Sequence, residues 1–377
     1  MKAGRRQVIA FRAAAQGLDR SARTTGSLAV LDIGVQDSGA DAARLAFDAR
    51  LASTPPTEEI GPGKPLALAW SLRGAPYVHR RRDLDRMAKA LWPMSEEDAA
   101  ARLNETGPSV RRAGIPALEQ FRLAVDAMRE VVGAPTAKGA ASTAVSKRLP
   151  AVMLRDCRVC RANHISDSAM RTATLAAGLE LEPGTSPPVL VPRTNAAHVH
   201  DLDPRALRTL ITAYLALLGP ASAKDVAGYL EARRADVEAV WPNGLVEVEV
   251  DGVPGWLPQA QADALAAVKK GGVVAGMVRL LGPFDPYLQA RDRELIVPDR
   301  SVHKALWPVL GRPGVVFAGG EVAGTWRTKS TKSRLTVTVE EFAPIPAPLW
   351  RQVEAEAARV AAVRGAPDVT LVRRGES

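Results

Sequence analysis

Cys157-Arg158-Val159-Cys160-Arg161-Ala162-Asn163-His164 has the form C-x2-C-x3-H, and thiolate and imidazole donors at that spacing suit zinc. A structural zinc site takes four ligands, and this half-motif supplies three. His198 and His200 lie downstream and are the side chains that could complete it. Arg158 and Arg161 crowd the thiols with positive charge, and free cysteines are ordinary in a reducing compartment. The reading is therefore no metal and no cofactor, with Cys157, Cys160 and His164 as the candidate ligands. No Ser/His/Asp nucleophile arrangement and no phosphate-cradling glycine loop is visible.

Clustered cations carry a second chemistry. His79-Arg80-Arg81-Arg82 follows an apolar strand, and Arg327-Thr328-Lys329-Ser330-Thr331-Lys332-Ser333-Arg334 sets four cations among hydroxyls. Arg5, Arg6 and Arg12 share much of one side of a predicted helix, and Arg73 stands at a turn between two predicted strands. Such side chains bind phosphate, and the binding weakens with salt. The formal charge of +9 favours a polyanionic partner. It is uneven: residues 1–150 balance at +7 and 278–377 at +4, whereas 203–277 balance at −2. A solvated helix face, or an edge strand kept apart by charge, is the plainer account of each cluster.

The elements that must position these groups read as α+β. Leu207, Leu210, Ile211, Tyr214, Leu215 and Leu218 recur at helical spacing, Gly219 suits the stop, and Ser222 with Asp225 suits the next start. A third helix is predicted over roughly 233–241. Leu245 to Val250 alternates as a strand, Asp251-Gly252 is a hairpin turn, and Val253 to Leu257 returns. Three helices and a two-stranded wing make a winged helix. Residues 5–18 and 41–51 read as helices, and 66–72 and 75–79 as strands joined at Arg73-Gly74, a first such group. Residues 84–92, 96–103 and 117–131 are helical in pattern, 134–147 read as a flexible stretch, and 148–193 as two short helices before a strand at Val189. The expected domains are winged helices at 1–95, 96–202 and 203–277, then a β-rich region with a terminal helix at 278–377. No apolar run approaches the ~20 residues that span a bilayer. No leader is expected, no obligate protein partner is evident, and a cytoplasmic, nucleoid-associated protein is the expectation.

Several stretches match one family together. They are Arg5 to Arg12, Trp70-Ser71-Leu72-Arg73-Gly74-Ala75, the helix-turn-helix with Gly219-Pro220, Leu280-Leu281-Gly282-Pro283-Phe284-Asp285-Pro286-Tyr287-Leu288, and Gly324-Thr325-Trp326-Arg327. The chain resembles the bacterial winged-helix DNA-binding proteins that include the AlkZ-type DNA glycosylases, which remove alkylated purines and unhook crosslinks. The resemblance implies tandem winged helices forming a basic channel for double-stranded DNA. The residues expected to meet DNA are Arg5, Arg6, Arg12, Arg73, His79, Arg80, Arg81, Arg82, Arg327, Lys329, Lys332 and Arg334.

The family's glycosylases use two polar residues separated by one apolar residue, usually Gln-aliphatic-Gln or Gln-aliphatic-Asp. By register with the following helix, the matching positions are Asp32-Ile33-Gly34, where Gly34 lacks the second side chain. Gln36-Asp37 substitutes if the register shifts. Cleaving the bond from base to sugar passes through a cationic sugar, which a carboxylate stabilises while a polar group holds water. Asp32 and Gln36 are the candidates for those roles. The plainer account gives Asp32 to a turn and Asp37 and Ser38 to a helix cap. A non-catalytic DNA-binding or regulatory protein on the same scaffold is the alternative. Trp326, beside the basic hairpin, is the aromatic expected to wedge or stack on DNA.

Overall fold

The computed structural model describes residues 1–39, 41–56, 58–103, 114–268, 272–331 and 334–374. The chain folds as a mixed α+β protein in two compact units built from interleaved stretches. One unit comprises Met1–Thr57, Thr212–Tyr229 and Pro242–Ser377; the other comprises Glu58–Ile211 and Leu230–Trp241. No helix among the described residues is long and apolar enough to cross a membrane.

Two hydrophobic cores can be followed among the described residues of the first unit. The larger lies under a five-stranded sheet ordered Val278–Leu281, Gly314–Ala318, Glu321–Ser330, Arg334–Glu341 and Asp368–Arg374. The first four strands run antiparallel in turn, and the last is parallel to its neighbour. Alternation sends Leu335, Val337 and Val339 inward with Trp326, where they meet Val353, Ala357 and Val360 of the helix Ala347–Val363. Leu45 of the helix Ala42–Asp48 joins this core. Arg359 holds that helix from outside, donating to the Asp48 carboxylate at 2.8 and 3.0 Å.

The smaller core joins the chain's beginning to a late hairpin. Leu245–Val250 and Val253–Pro258 pair antiparallel, as their period and the Asp-Gly turn predict. Lys2–Ala3 adds a parallel strand beside Glu249 and Val250. Val8 and Phe11 of the helix Arg5–Ala15 then pack with Val248, Leu257 and Leu265. The helix Pro204–Leu218 ends at Gly219, where a Cβ would stand 2.3 Å from the Leu215 carbonyl oxygen and 2.6 Å from the Leu257 side chain. No side chain fits there. The helix Ala223–Leu230 starts with the reciprocal cap its sequence predicts. The Ser222 N–H donates to Asp225 at 2.9 Å, and the Asp225 N–H to the Ser222 hydroxyl at 3.3 Å. The third helix predicted from the sequence, Arg234–Ala239, is shorter than expected and belongs to the other unit.

In the second unit Leu66–Trp70 and Pro76–Arg80 pair antiparallel, joined by a tight turn in which Arg73 and Gly74 both take positive φ. Leu179–Leu181, Val189–Pro192 and Thr136–Ala137 continue the sheet from the Leu66 strand, antiparallel at each step. The helix Ala117–Val131 buries Phe121, Ala124, Val125 and Met128, one stripe at helical spacing. Phe121 meets Trp92 edge-on, ring centroids 5.0 Å apart.

Residues 134–147 are not a flexible stretch. Lys138–Ser146 is a helix that buries Ala141 and Val145, one turn apart. In 148–193 one of the two short helices is the α-helix Asp167–Thr174; the other is a single 3-10 turn, Ala151–Met153. Between them lies a hairpin, Arg155–Cys157 with Ala162–His164, that periodicity does not announce.

Candidate functional site

Residues 29–38 form a compact corner of the first unit. Ala29–Asp32 is a 3-10 turn, Gly34 takes φ of +80°, and Val35–Gln36 is a short strand. Val30, Leu31, Ile33 and Val35 anchor the corner in the core. Asp32 is half-buried. Asp37 does what its cap-like position predicts: its carboxylate accepts the Ala43 N–H at 2.9 Å, at the start of the helix Ala42–Asp48. Burial pushes the Asp37 carboxyl above the ordinary carboxylate range, opposed by the backbone N–H groups it accepts.

Gln36 is the polar side chain this corner buries, at 7% exposure. Its Nε2 donates to the Ser38 hydroxyl at 2.8 Å. Its Oε1 accepts from Gln289 Nε2 at 3.4 Å, while the same Gln289 nitrogen donates to the Phe284 carbonyl at 2.9 Å. Two side-chain amides thus meet across 253 residues of sequence. Gln36 and Ser38 also reproduce a polar-x-polar spacing, with Asp37 rather than an apolar residue between them.

A buried ion pair holds Gln289 in place. Pro286–Gln289 is a 3-10 turn capped by Asp285, whose carboxylate accepts the Tyr287 N–H at 2.9 Å. The same carboxylate receives both Nη atoms of Arg50 at 2.8 Å. Both side chains are fully buried. Arg50 donates further to the Ala46 carbonyl and to Gln16 Oε1, and Gln16 Nε2 donates to the Leu217 carbonyl. Removing one member of such a pair typically costs about 3–5 kcal/mol, because the other charge stays buried alone.

Neither Gln289 nor Arg50 is marked out by the sequence. Asp285 lies inside a recognised motif, but Arg50 sits 235 residues from it. Only the fold pairs them.

The cations divide sharply. Arg12 is 1% exposed, paired with Asp292 and donating to the Gly219 carbonyl, so its expected DNA contact is corrected: it has no surface to offer. His79 is corrected likewise. It is fully buried, its Nε2 is 3.0 Å from the Ser71 hydroxyl, and burial lowers its pKa to about 4. Arg5 holds Glu321 with two hydrogen bonds and also donates to the Leu295 and Ile296 carbonyls. Arg81 grips Glu180 in the same two-pronged way, and Arg80 pairs with Asp83. Arg73 donates to the Tyr77 hydroxyl. Arg6, Arg82, Arg327, Lys329 and Arg334 are exposed. Lys332 lies outside the described residues. Trp326 is also corrected: it is 3% exposed, donates to the Leu281 carbonyl at 2.9 Å, and fills the space a side chain at Gly314 would need.

Three of the expected exposed cations lie together. Arg327 and Lys329 stand two apart on one strand, facing away from the side that buries Trp326, and their neighbours across the ladder are Thr338 and Thr336. Arg334 opens the partner strand on that same open side.

In the second unit the ligand atoms of Cys157, Cys160 and His164 lie within 4.8 Å of one another. His198 and His200 do not complete this set. They cluster with Asp126 instead.

A family model described as DNA glycosylase AlkZ-like matches residues 27–363. The solved structure of Streptomyces sahachiroi DNA glycosylase AlkZ superposes on 99% of this chain and 100% of its own, with a TM-score of 0.75 and 21% sequence identity. At that identity the likeness is one of fold. No curated protein matches the chain.

Proposed function

The chain belongs to the AlkZ-like DNA glycosylase family, and from that premise we propose that it repairs DNA by hydrolysing the N-glycosidic bond of an alkylated or bulky base, with Gln36 at the centre of the site. The observation that carries this reading is the buried Gln36–Gln289 amide pair backed by Arg50–Asp285. Base departure leaves positive charge on the sugar, and water must then add to C1′ and give up a proton. An alkylated purine already carries positive charge, so it leaves as a neutral base without needing an acid. What the protein must supply is a placed water and a negative or dipolar group beneath the sugar. Gln36, with one amide oxygen and one amide nitrogen, suits the water. Asp32, half-buried at the same corner, suits the charge. Asp37 is occupied as a helix cap and plays no part in this reading.

The scaffold role follows. We read the helix-and-hairpin groups at 1–95, 96–202 and 203–277 as winged helices and 278–377 as a β-rich partner. Double-stranded DNA is held chiefly through phosphates by Arg6, Arg82, Arg327, Lys329, Arg334 and the partly exposed Arg73 and Arg80. A non-catalytic DNA binder is the second reading. It is favoured by Gly34, which leaves one position of the family's motif without a side chain.

Base release from an alkylated duplex separates the two. We expect release by the unaltered chain and a loss of about 100-fold or more in Gln36→Ala, within the range for a positioned catalytic group. Asp32→Asn gives a similar loss if its carboxylate faces the sugar. No release by the unaltered chain on DNA that it binds supports the binder.

A further inference from the structure

The hairpin Arg155–Cys157 and Ala162–His164 has no apolar core of its own. Its strands are three residues long, and residues 158–163 are all exposed, Val159 at 93%. A two-stranded ribbon of this kind is marginal in water without something to hold it. Its register is nonetheless defined, Arg155 against His164 and Cys157 against Ala162, and its turn closes through Arg161 at φ of +52°. That turn brings Cys160 back toward Cys157, and His164 comes alongside from the second strand.

The imidazole is set up as a ligand. His164 Nδ1 lies 2.6 Å from the Ile165 carbonyl oxygen, so it carries the proton and donates there. The lone pair is then on Nε2. That nitrogen is buried and has no hydrogen-bond partner among the described residues. An imidazole whose far nitrogen is tied to a carbonyl while the near one waits unpaired is the usual arrangement around metal-bound histidine. Tetrahedral zinc, at about 2.3 Å from sulfur and about 2.0 Å from nitrogen, draws its ligand atoms to roughly 3.3–3.8 Å from each other. The three atoms already lie within 4.8 Å. Small side-chain rotations close the rest.

We propose that Cys157, Cys160 and His164 bind a zinc-class divalent cation, with the fourth position held by water or an added ligand. Two thiolates balance the charge of the ion, and two protons leave when it binds. Lys138 lines the groove beside Cys160 and His164. That groove, which Cys160, Asn163 and His164 also line, adjoins the three ligands. The role this assigns to the metal is to staple the hairpin. It does not depend on the glycosylase reading.

Cobalt tests this directly on the full chain. The reduced protein is stripped with chelator, loaded with Co²⁺ and examined for the thiolate-to-cobalt charge-transfer band. We expect the band at one equivalent, its displacement by Zn²⁺, and its loss in the Cys157→Ser/Cys160→Ser variant. The separate cluster of Asp126, His198 and His200 contains no thiol and cannot give that band. Hydrogen exchange on the unaltered chain is the check that needs no variant: zinc should slow exchange across residues 155–164. No charge-transfer band in the reduced chain overturns the proposal. So does a band that survives loss of both thiols, or an exchange pattern that zinc leaves unchanged.

Discussion

Arg5 and Arg12 of the helix Arg5–Ala15 end on Glu321 and Asp292, whereas Arg327, Lys329 and Arg334 of the C-terminal hairpin stay exposed. In sequence the two regions look alike: cations at close spacing beside an apolar pattern. What separates them is the far partner. Arg12 is buried because Asp292 and the Gly219 carbonyl receive its donors. A guanidinium taken from water without such acceptors is strongly unfavourable. On the hairpin the inward positions hold Trp326, Leu335 and Val337, so the alternating positions carry their charge to the open side. Cations of the first kind hold the fold; those of the second are available to a ligand. A basic composition does not tell them apart.

The sharpest way to break this division is to remove an inward cation. Arg50→Ala should lower unfolding stability by about 3–5 kcal/mol, since it leaves the buried Asp285 carboxylate unpaired, and Arg12→Ala by less, since a quarter of the Asp292 side chain is exposed. Denaturant titration reads this. A variant as stable as the parent would mean the pair contributes no more than an exposed one. Neither change should alter the salt dependence of DNA binding.

Burial of a titratable group on the inward side gives the next effect. His79 has a folded pKa of about 4, below the ordinary 6.5, because burial disfavours its charged form. Its contribution to stability is therefore complete above pH 6.5. It declines as pH falls through the window from 6.5 to about 4 and is lost below. Two and a half units correspond to roughly 3 kcal/mol. His79→Gln should flatten that part of the stability–pH curve. An unchanged slope would place the effect on another group.

The outward cations should give the smallest change in stability. Replacing Arg327, Lys329 and Arg334 by alanine should move stability by no more than about 0.5 kcal/mol in all if they only face solvent. The same variant should weaken duplex binding and reduce the salt slope by about one for each phosphate that is no longer neutralised. An unchanged slope would remove this face from the DNA interface.

Local signals in the sequence are legible where an element is long and periodic. The Leu245–Val250 hairpin, the Ser222–Asp225 cap and the Ala117–Val131 helix all announce themselves through period, turn chemistry or spacing. The helix Lys138–Ser146 does not. Gly139, Ser142 and Thr143 lower its intrinsic preference, and it is held by just two fully buried apolar side chains, Ala141 and Val145. The candidate site divides the same way. Gln36 can be picked out as a polar residue after an apolar run. Gln289, Arg50 and the burial of Arg12 depend on residues brought close by the fold, and no window of sequence contains both partners.

The short strand Lys2–Ala3 has a consequence for how the protein is made. It pairs with Glu249 and Val250, so its hydrogen-bonding partners do not exist when it leaves the ribosome. At about 5–20 residues per second, roughly 12 to 50 seconds pass before they are synthesised. Throughout that interval the helix Arg5–Ala15 carries Val8 and Phe11 without the hairpin that covers them. The other unit, complete by residue 241, can fold while the first is still waiting. Native pairing of Lys2–Ala3 therefore cannot precede synthesis of the strand that carries Glu249 and Val250.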